Sequence, residues 1–196
     1  MGLKENLRQI DWKQVLGQYW DSLTTDIPDY IFQILLSILC VGTVVFVIWK
    51  GARKGMLYSS RLLLMVYLIV VYCSTIFFRN NNETFRYDFH PLWSYSLISD
   101  GRSILLAENI MNVIVFLPIG LLIGLGFPKC SWWKTIGTGC FISITIEAMQ
   151  FVTKRGFCEV DDVMHNTLGC MIGYILVKGS WFMVHGLTKI MRYGMG

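Results

Sequence analysis

Residues 108–127 read Glu-Asn-Ile-Met-Asn-Val-Ile-Val-Phe-Leu-Pro-Ile-Gly-Leu-Leu-Ile-Gly-Leu-Gly-Phe. After Asn112 no charged or amide side chain interrupts the run, which is the length of helix that crosses a bilayer core of about 30 Å. Its start is polar, with Glu108, Asn109 and Asn112 in the first turns. It is therefore a membrane span with a wet end. Pro118 removes one backbone hydrogen bond and predicts a kink that frees the Ile114 carbonyl. Gly120 and Gly124 stand four apart, a spacing that lets helix backbones approach closely in lipid.

Working outward, the chain repeats the pattern. Apolar stretches run from Pro28 to Trp49, from Arg61 to Phe78, from about Thr135 to Val152, and from near Val163 onward. The last ends either at Lys178 or at about Leu187, because a lysine stem can snorkel. It carries a second glycine pair, Gly169 and Gly173, so the third and fifth spans are expected to be close parallel neighbours. Composition agrees: 54% of the 196 residues are hydrophobic and only 15% are charged, and mean hydropathy is +0.51. Average soluble domains are about 25% charged. The expected fold is an all-α membrane protein, a bundle of about five transmembrane helices with an N-terminal amphipathic interfacial helix.

That helix is expected from Trp12 to Leu23, where Trp12, Leu16, Tyr19, Trp20 and Leu23 share one face. A partner-binding segment is the other reading of the same pattern. The N-terminus has no apolar run of a secretory signal peptide. Residues 1–55 form the N-terminal helix plus the first span; residues 56–196 form the main helical membrane domain with a C-terminal tail. Lys50, Arg53, Lys54 and Arg61 crowd one short loop, which the positive-inside rule places in the cytoplasm. The long loop from Arg79 to Ala107 is then outside, as is the N-terminus.

The net charge of +4 is mild and the basic residues are scattered, which excludes a nucleic-acid partner. Six cysteines form no C-x-x-C pair, so zinc-ribbon and thioredoxin-type chemistry are excluded. No P-loop, nucleophile elbow or H-E-x-x-H occurs.

The polar residues of the spans gather at one membrane face, the outer one. Glu108, Asn109 and Asn112 open span three, and Glu147 and Gln150 close span four. Arg155 follows, then Asp161 and Asp162, with His165 and Asn166 opening span five; Arg79 ends span two. Glu147 lies roughly 7 Å inside the span end at 1.5 Å per residue. A carboxylate there costs several kcal/mol unless paired, wetted or neutral. Two readings follow: interhelical glue, or a wet cavity for a polar ligand. In the second, Glu147 and Asp162 are the candidate catalytic groups, and Arg79, Glu108, Asn109, Asn112, Gln150, Arg155, Asp161, His165 and Asn166 are candidate ligand contacts. Oxygen donors of this kind suit a divalent cation such as Mg²⁺ or Ca²⁺; a network of Arg79 and Arg155 with the acids uses the same residues. No metal-ligand set is assigned, and the sequence names no cofactor and no oligomeric state.

Asn109-x-x-Asn112-x-x-x-Phe116-Leu117-Pro118-Ile119-Gly120 resembles the signature of the VanZ-like bacterial membrane proteins. Glu147-x-x-Gln150, Arg155 and Asp161-Asp162-x-x-x-Asn166-x-x-Gly169 continue that pattern in order, with Arg79 and Pro91 before it. The likeness covers roughly residues 60–176. It implies a multi-pass protein of the bacterial cytoplasmic (inner) membrane with a cell-envelope role, in a family associated with glycopeptide (teicoplanin-type) resistance. Three function classes stay open. One is a binder or modulator of an envelope component, a lipid-linked precursor or the glycopeptide itself. Another is a membrane enzyme acting on a lipid or glycan head group by Glu/Asp acid–base or divalent-metal chemistry. The third is a structural membrane protein. Beyond these, the partner is the lipid bilayer.

Overall fold

The computed structural model describes residues 8, 10–17, 29–77, 79 and 82–193. Helix α1 runs Asp29–Tyr72 and is broken at Gly51, whose φ of 76° and ψ of 161° lie outside helical space. Only glycine takes that conformation without strain, and the two arms fold back on each other there. Gly55 packs on the Val47 backbone at 2.7 Å, measured from where a Cβ would stand, and the Phe46 and Tyr58 rings lie 5.4 Å apart. The second arm ends in a π-helical turn, Cys73–Phe77. Strand β1 (Tyr87–Asp88) and helix α2 (Trp93–Ser99) occupy the long loop. Helix α3 is Ser103–Gly126, α4 is Trp132–Thr153, β2 is Cys158–Glu159 and α5 is Val160–Tyr193.

Among the described residues, four segments are long and apolar enough to cross a membrane: Ile34–Ala52, Lys54–Phe77, Ser103–Gly126 and Trp132–Thr153. The expected fifth span is not among them. Its helix, α5, starts with Asp161, Asp162, His165 and Asn166, which lower its hydropathy. It nevertheless runs the length of α3. Lys178 Nζ donates to the Pro128 carbonyl at 2.9 Å and Tyr174 Oη to the Cys130 carbonyl at 2.7 Å, so Lys178 marks the far end of the bundle.

The first span touches little but the second. Val41 is 64% exposed and Ile48 79%, a surface suited to lipid and not to water. The core lies between the second arm of α1, α3, α4 and α5, where Val71, Ile76, Phe116, Ile119, Ile142, Ile146 and Cys170 meet. The glycines set its tightest contact. Gly169 and Gly173 lie against the Val113 and Leu117 carbonyls, and Gly120 against that of Cys170. Pro118 lies within α3, and Tyr67 Oη donates to the carbonyl of Val115 at 2.7 Å. This hydroxyl thus serves Val115, the neighbour of the carbonyl expected to be freed.

At the N-terminus residues 12–17 are helical. The Asp11 carboxylate accepts the amides of Lys13 and Gln14 at 3.1 and 3.2 Å, a side-chain cap. Ile10 and Val15 face inward onto Ile98, Leu106, Ala107 and Met111, while Leu16 is exposed. Of the expected apolar face, Trp12 packs against this cluster and Leu16 is left exposed. Tyr19, Trp20 and Leu23 lie outside the described residues.

Candidate functional site

The end of the second span, the start of α3, the end of α4 and the start of α5 reach one end of the bundle. They enclose a cavity of about 650 Å³. Ser74 and Thr75 come from the π-helical turn, Arg79, Asn82 and Arg86 from the loop, and Trp93 and Ser94 from α2. Glu108, Asn109 and Asn112 come from α3 and Glu147 and Gln150 from α4. Gly156, Phe157, Glu159, Asp162 and Asn166, with the apolar Leu105, Val115, Phe116 and Ile146, complete the wall.

The short strands close this wall. β1 pairs with β2 in parallel, Tyr87 opposite Cys158 and Asp88 opposite Glu159. Asn82 Nδ2 donates to the Gly156 carbonyl at 2.8 Å. Gly156 has φ of 102°, and a Cβ there would stand 2.6 Å from an Arg79 Nη1, so glycine is required both for the turn and for the guanidinium beside it. Phe85, Tyr87 and Phe89 are exposed, and Arg86 between them lines the cavity. The strand period of two thus puts the aromatics on one face and Arg86 and Asp88 on the other.

Glu147 is 5% exposed. Its Oε2 accepts the Glu159 amide at 2.9 Å. Asp162 Oδ1 accepts from Asn112 Nδ2 at 2.7 Å. Gln150 Nε2 donates to the Thr75 carbonyl at 3.2 Å, and Asn166 Nδ2 to Ser143 Oγ at 2.9 Å. The oxygens of these two amides, Gln150 Oε1 and Asn166 Oδ1, are buried without a partner among the described residues. A buried unsatisfied acceptor costs about 1–3 kcal/mol, so each is a place where a ligand or water hydrogen bond is due. Asn109 Nδ2 donates to Ser94 Oγ at 3.0 Å. Arg79 is exposed and acts electrostatically on Glu108, Glu147 and Asp162. Neither Arg79 nor Arg86 is in an ion pair among the described residues.

Three of the residues expected at the site lie behind the wall. Asp161 is fully buried and accepts from the Leu92 amide, from the Ser94 amide at 3.1 Å and from Ser94 Oγ at 2.6 Å. It holds the turn before α2, where Leu92 has φ of 64°. His165 Nδ1 donates to the Asp161 carbonyl at 2.6 Å, which leaves Nε2 to accept from Tyr95 Oη at 2.8 Å. Arg155 Nη1 donates to the Ile76 and Phe77 carbonyls at 3.4 and 2.6 Å. A cation on helix-end carbonyls is favoured by the macrodipole. Among the described residues no three His, Cys, Asp or Glu side chains gather as a metal site.

Several wall residues are additional to those read from sequence: Ser74, Asn82, Arg86, Trp93, Ser94, Phe157 and Glu159. Glu159 Oε2 accepts from Trp93 Nε1 at 3.0 Å. Burial, with the nearby Asp162 charge second, pushes its carboxyl up to about 8.

A family model described as VanZ/LLP1 matches residues 62–184. "Protein VanZ" of Enterococcus faecium is 30% identical over 114 residues, covering 58% of this chain and 70% of that protein. No solved structure matches.

Proposed function

Because this chain belongs to the VanZ/LLP1 family and carries four membrane-length apolar helices, we propose that it binds or modulates an amphiphilic cell-envelope component. Binding takes place at the outer face of a bacterial cytoplasmic membrane, with a link to glycopeptide (teicoplanin-type) susceptibility. The reading rests on one observation: the cavity at the polar end of the bundle is lined by the unsatisfied buried amide oxygens of Gln150 and Asn166 beside four carboxyl groups. Packing alone gives no reason to leave two acceptors unpaired in the wall of one cavity. Arg79 and Arg86 suit a phosphate or carboxylate near the mouth. Glu108, Asn109, Asn112, Glu147, Gln150, Asp162 and Asn166 suit hydroxyl or amine donors deeper in. Arg155, Asp161 and His165 act as positioning residues, holding the helix end and the α2 turn that frame the cavity. Lipid-linked precursors and glycopeptides both carry such polar groups on a larger amphiphilic body.

A second reading, an enzyme acting on a lipid or glycan head group, is favoured by a specific geometry. Glu147 and Asp162 line one cavity, each with one oxygen held and Oε1 or Oδ2 unpaired. Either is placed to serve as general base. The test is native mass spectrometry of protein extracted from bacterial membranes into lipid nanodiscs. The binding reading predicts a retained envelope amphiphile of one defined mass, lost in Asp162→Asn. The enzymatic reading predicts that the retained species is converted on incubation. Retention of bulk phospholipid alone, equal in parent and variant, contradicts both.

A further inference from the structure

The cavity has an uneven hydrogen-bond inventory. Its amide nitrogens are committed to the protein: Gln150 Nε2 to the Thr75 carbonyl, Asn166 Nδ2 to Ser143 and Asn112 Nδ2 to Asp162. Apart from the second hydrogens of these amides and the Arg79 and Arg86 guanidiniums, what remains open is acceptors. Among the described residues, Gln150 Oε1 and Asn166 Oδ1 have no hydrogen-bond partner, and neither does one carboxyl oxygen on each of Glu147 and Asp162. The Gln150 amide cannot be turned over to offer its nitrogen instead, because its oxygen would then face the Thr75 carbonyl. Both amide side chains are well over nine-tenths buried, at 6% and 5% exposure.

Charge points the same way. The wall carries the carboxyl groups of Glu108, Glu147, Glu159 and Asp162 against the guanidiniums of Arg79 and Arg86, and neither arginine closes an ion pair with them. A sugar hydroxyl brings one donor but also lone pairs that need donors in return. An ammonium brings three donors, no acceptor and a positive charge. Placed among these carboxyl groups away from bulk water, it favours their ionised form and makes the stronger, charge-assisted kind of hydrogen bond.

Building on the cavity-binding reading above, we propose that the ligand carries a primary ammonium group, seated on Glu147, Asp162 and the amide oxygens of Gln150 and Asn166. Arg79, exposed beside Gly156, takes an anionic group of the same ligand where one is present. Two sources supply this chemistry: an aminophospholipid head group and an amino sugar on an apolar anchor.

The test uses the unaltered protein purified in detergent and paired soluble probes, with binding read by isothermal titration calorimetry. One pair is dihexanoyl phosphatidylethanolamine and its N-acetyl derivative; the other is octyl glucosaminide and octyl N-acetylglucosaminide. Acetylation removes the charge and two of the three donors while keeping the rest of the molecule. The free amine of at least one pair is expected to bind at least about tenfold more tightly than its acetylated partner, the worth of one charge-assisted hydrogen bond. The pair that shows the preference names the source. Asp162→Asn, checked for an unchanged melting temperature, should shrink that preference to about twofold or less. Equal binding of amine and acetylated probes overturns the ammonium proposal and leaves the polar-ligand reading standing. An amine preference that persists in a folded Asp162→Asn variant also overturns it. Absence of binding by every probe overturns both.

Discussion

Replacing Gly173 by alanine adds one methyl group at the closest approach of α3 and α5. The new Cβ would stand 2.9 Å from Leu121 N and 3.0 Å from the Leu117 carbonyl carbon, with the Leu117 oxygen nearer still. These are backbone atoms inside a helix, so no side-chain rotation relieves them. The helices must separate, and the neighbouring contacts of Gly169 and Gly120 loosen with them. Overpacking of this kind costs about 1–3 kcal/mol. At 2–4 °C per kcal/mol for a chain of this size, the melting temperature should fall by roughly 3–10 °C. Gly137 in α4 supplies the control, since nothing lies within 4 Å of its Cβ position. There alanine should be neutral or raise stability by up to about 1 kcal/mol through helix propensity. Thermal unfolding in one detergent, followed by tryptophan fluorescence, measures both. A Gly173→Ala protein that melts at or above the parent temperature would refute close packing of α3 on α5.

Asp161→Ala should destabilise by about 2–4 kcal/mol, because the Leu92 amide and both Ser94 donors lose a charged acceptor; an unchanged melting temperature would show that the α2 turn is held by other contacts. Arg155→Met removes a donor from two helix-end carbonyls and should cost about 1–2 kcal/mol while leaving ligand retention per folded molecule intact, as native mass spectrometry would report. Glu159 gives a pH signature: its folded carboxyl is raised to about 8 from 4.5, so the folded state binds the proton more tightly. That contribution is complete below about 4.5 and is lost as pH rises through 8; melting temperature should decline across that window, less steeply in Glu159→Gln, and equal slopes would contradict the burial. For orientation, a cysteine between Thr153 and Val160 should be labelled from outside intact cells and one between Lys50 and Gly55 should not; the reverse pattern would place the cavity on the cytoplasmic face.

Four of the spans were legible because each is a long, predominantly apolar run, and the meeting of α3 with α5 because Gly120, Gly169 and Gly173 have the spacing that close approach needs. The convergence of Glu108, Asn112, Glu147, Gln150 and Asp162 followed from alternating helix directions alone. Other features depend on non-local geometry. Arg155 and Asp161 carry the same charges as ligand contacts would, and only the position of the Phe77 carbonyl and of the α2 turn shows that their side chains are spent on the backbone. Arg86, Trp93 and Glu159 join the wall through a pairing of two-residue strands, too short to leave a periodic signal. The reversal at Gly51 was read as a short basic loop from Lys50 to Arg61, because the charges there do not show that the helix resumes after one glycine.

The central claim is that the acidic cavity serves a ligand and is not merely a packing device. Glu147→Gln tests it most directly, with melting temperature and ligand retention measured on the same preparation. Glu147 accepts the Glu159 amide at 2.9 Å and is in no ion pair among the described residues. A glutamine oxygen can accept that same bond, and a buried neutral amide carries less desolvation cost than a carboxylate. The account therefore predicts a melting temperature equal to or above that of the parent, with retention of the envelope amphiphile lost. A variant that melts several degrees lower yet retains the amphiphile normally per folded molecule would contradict it.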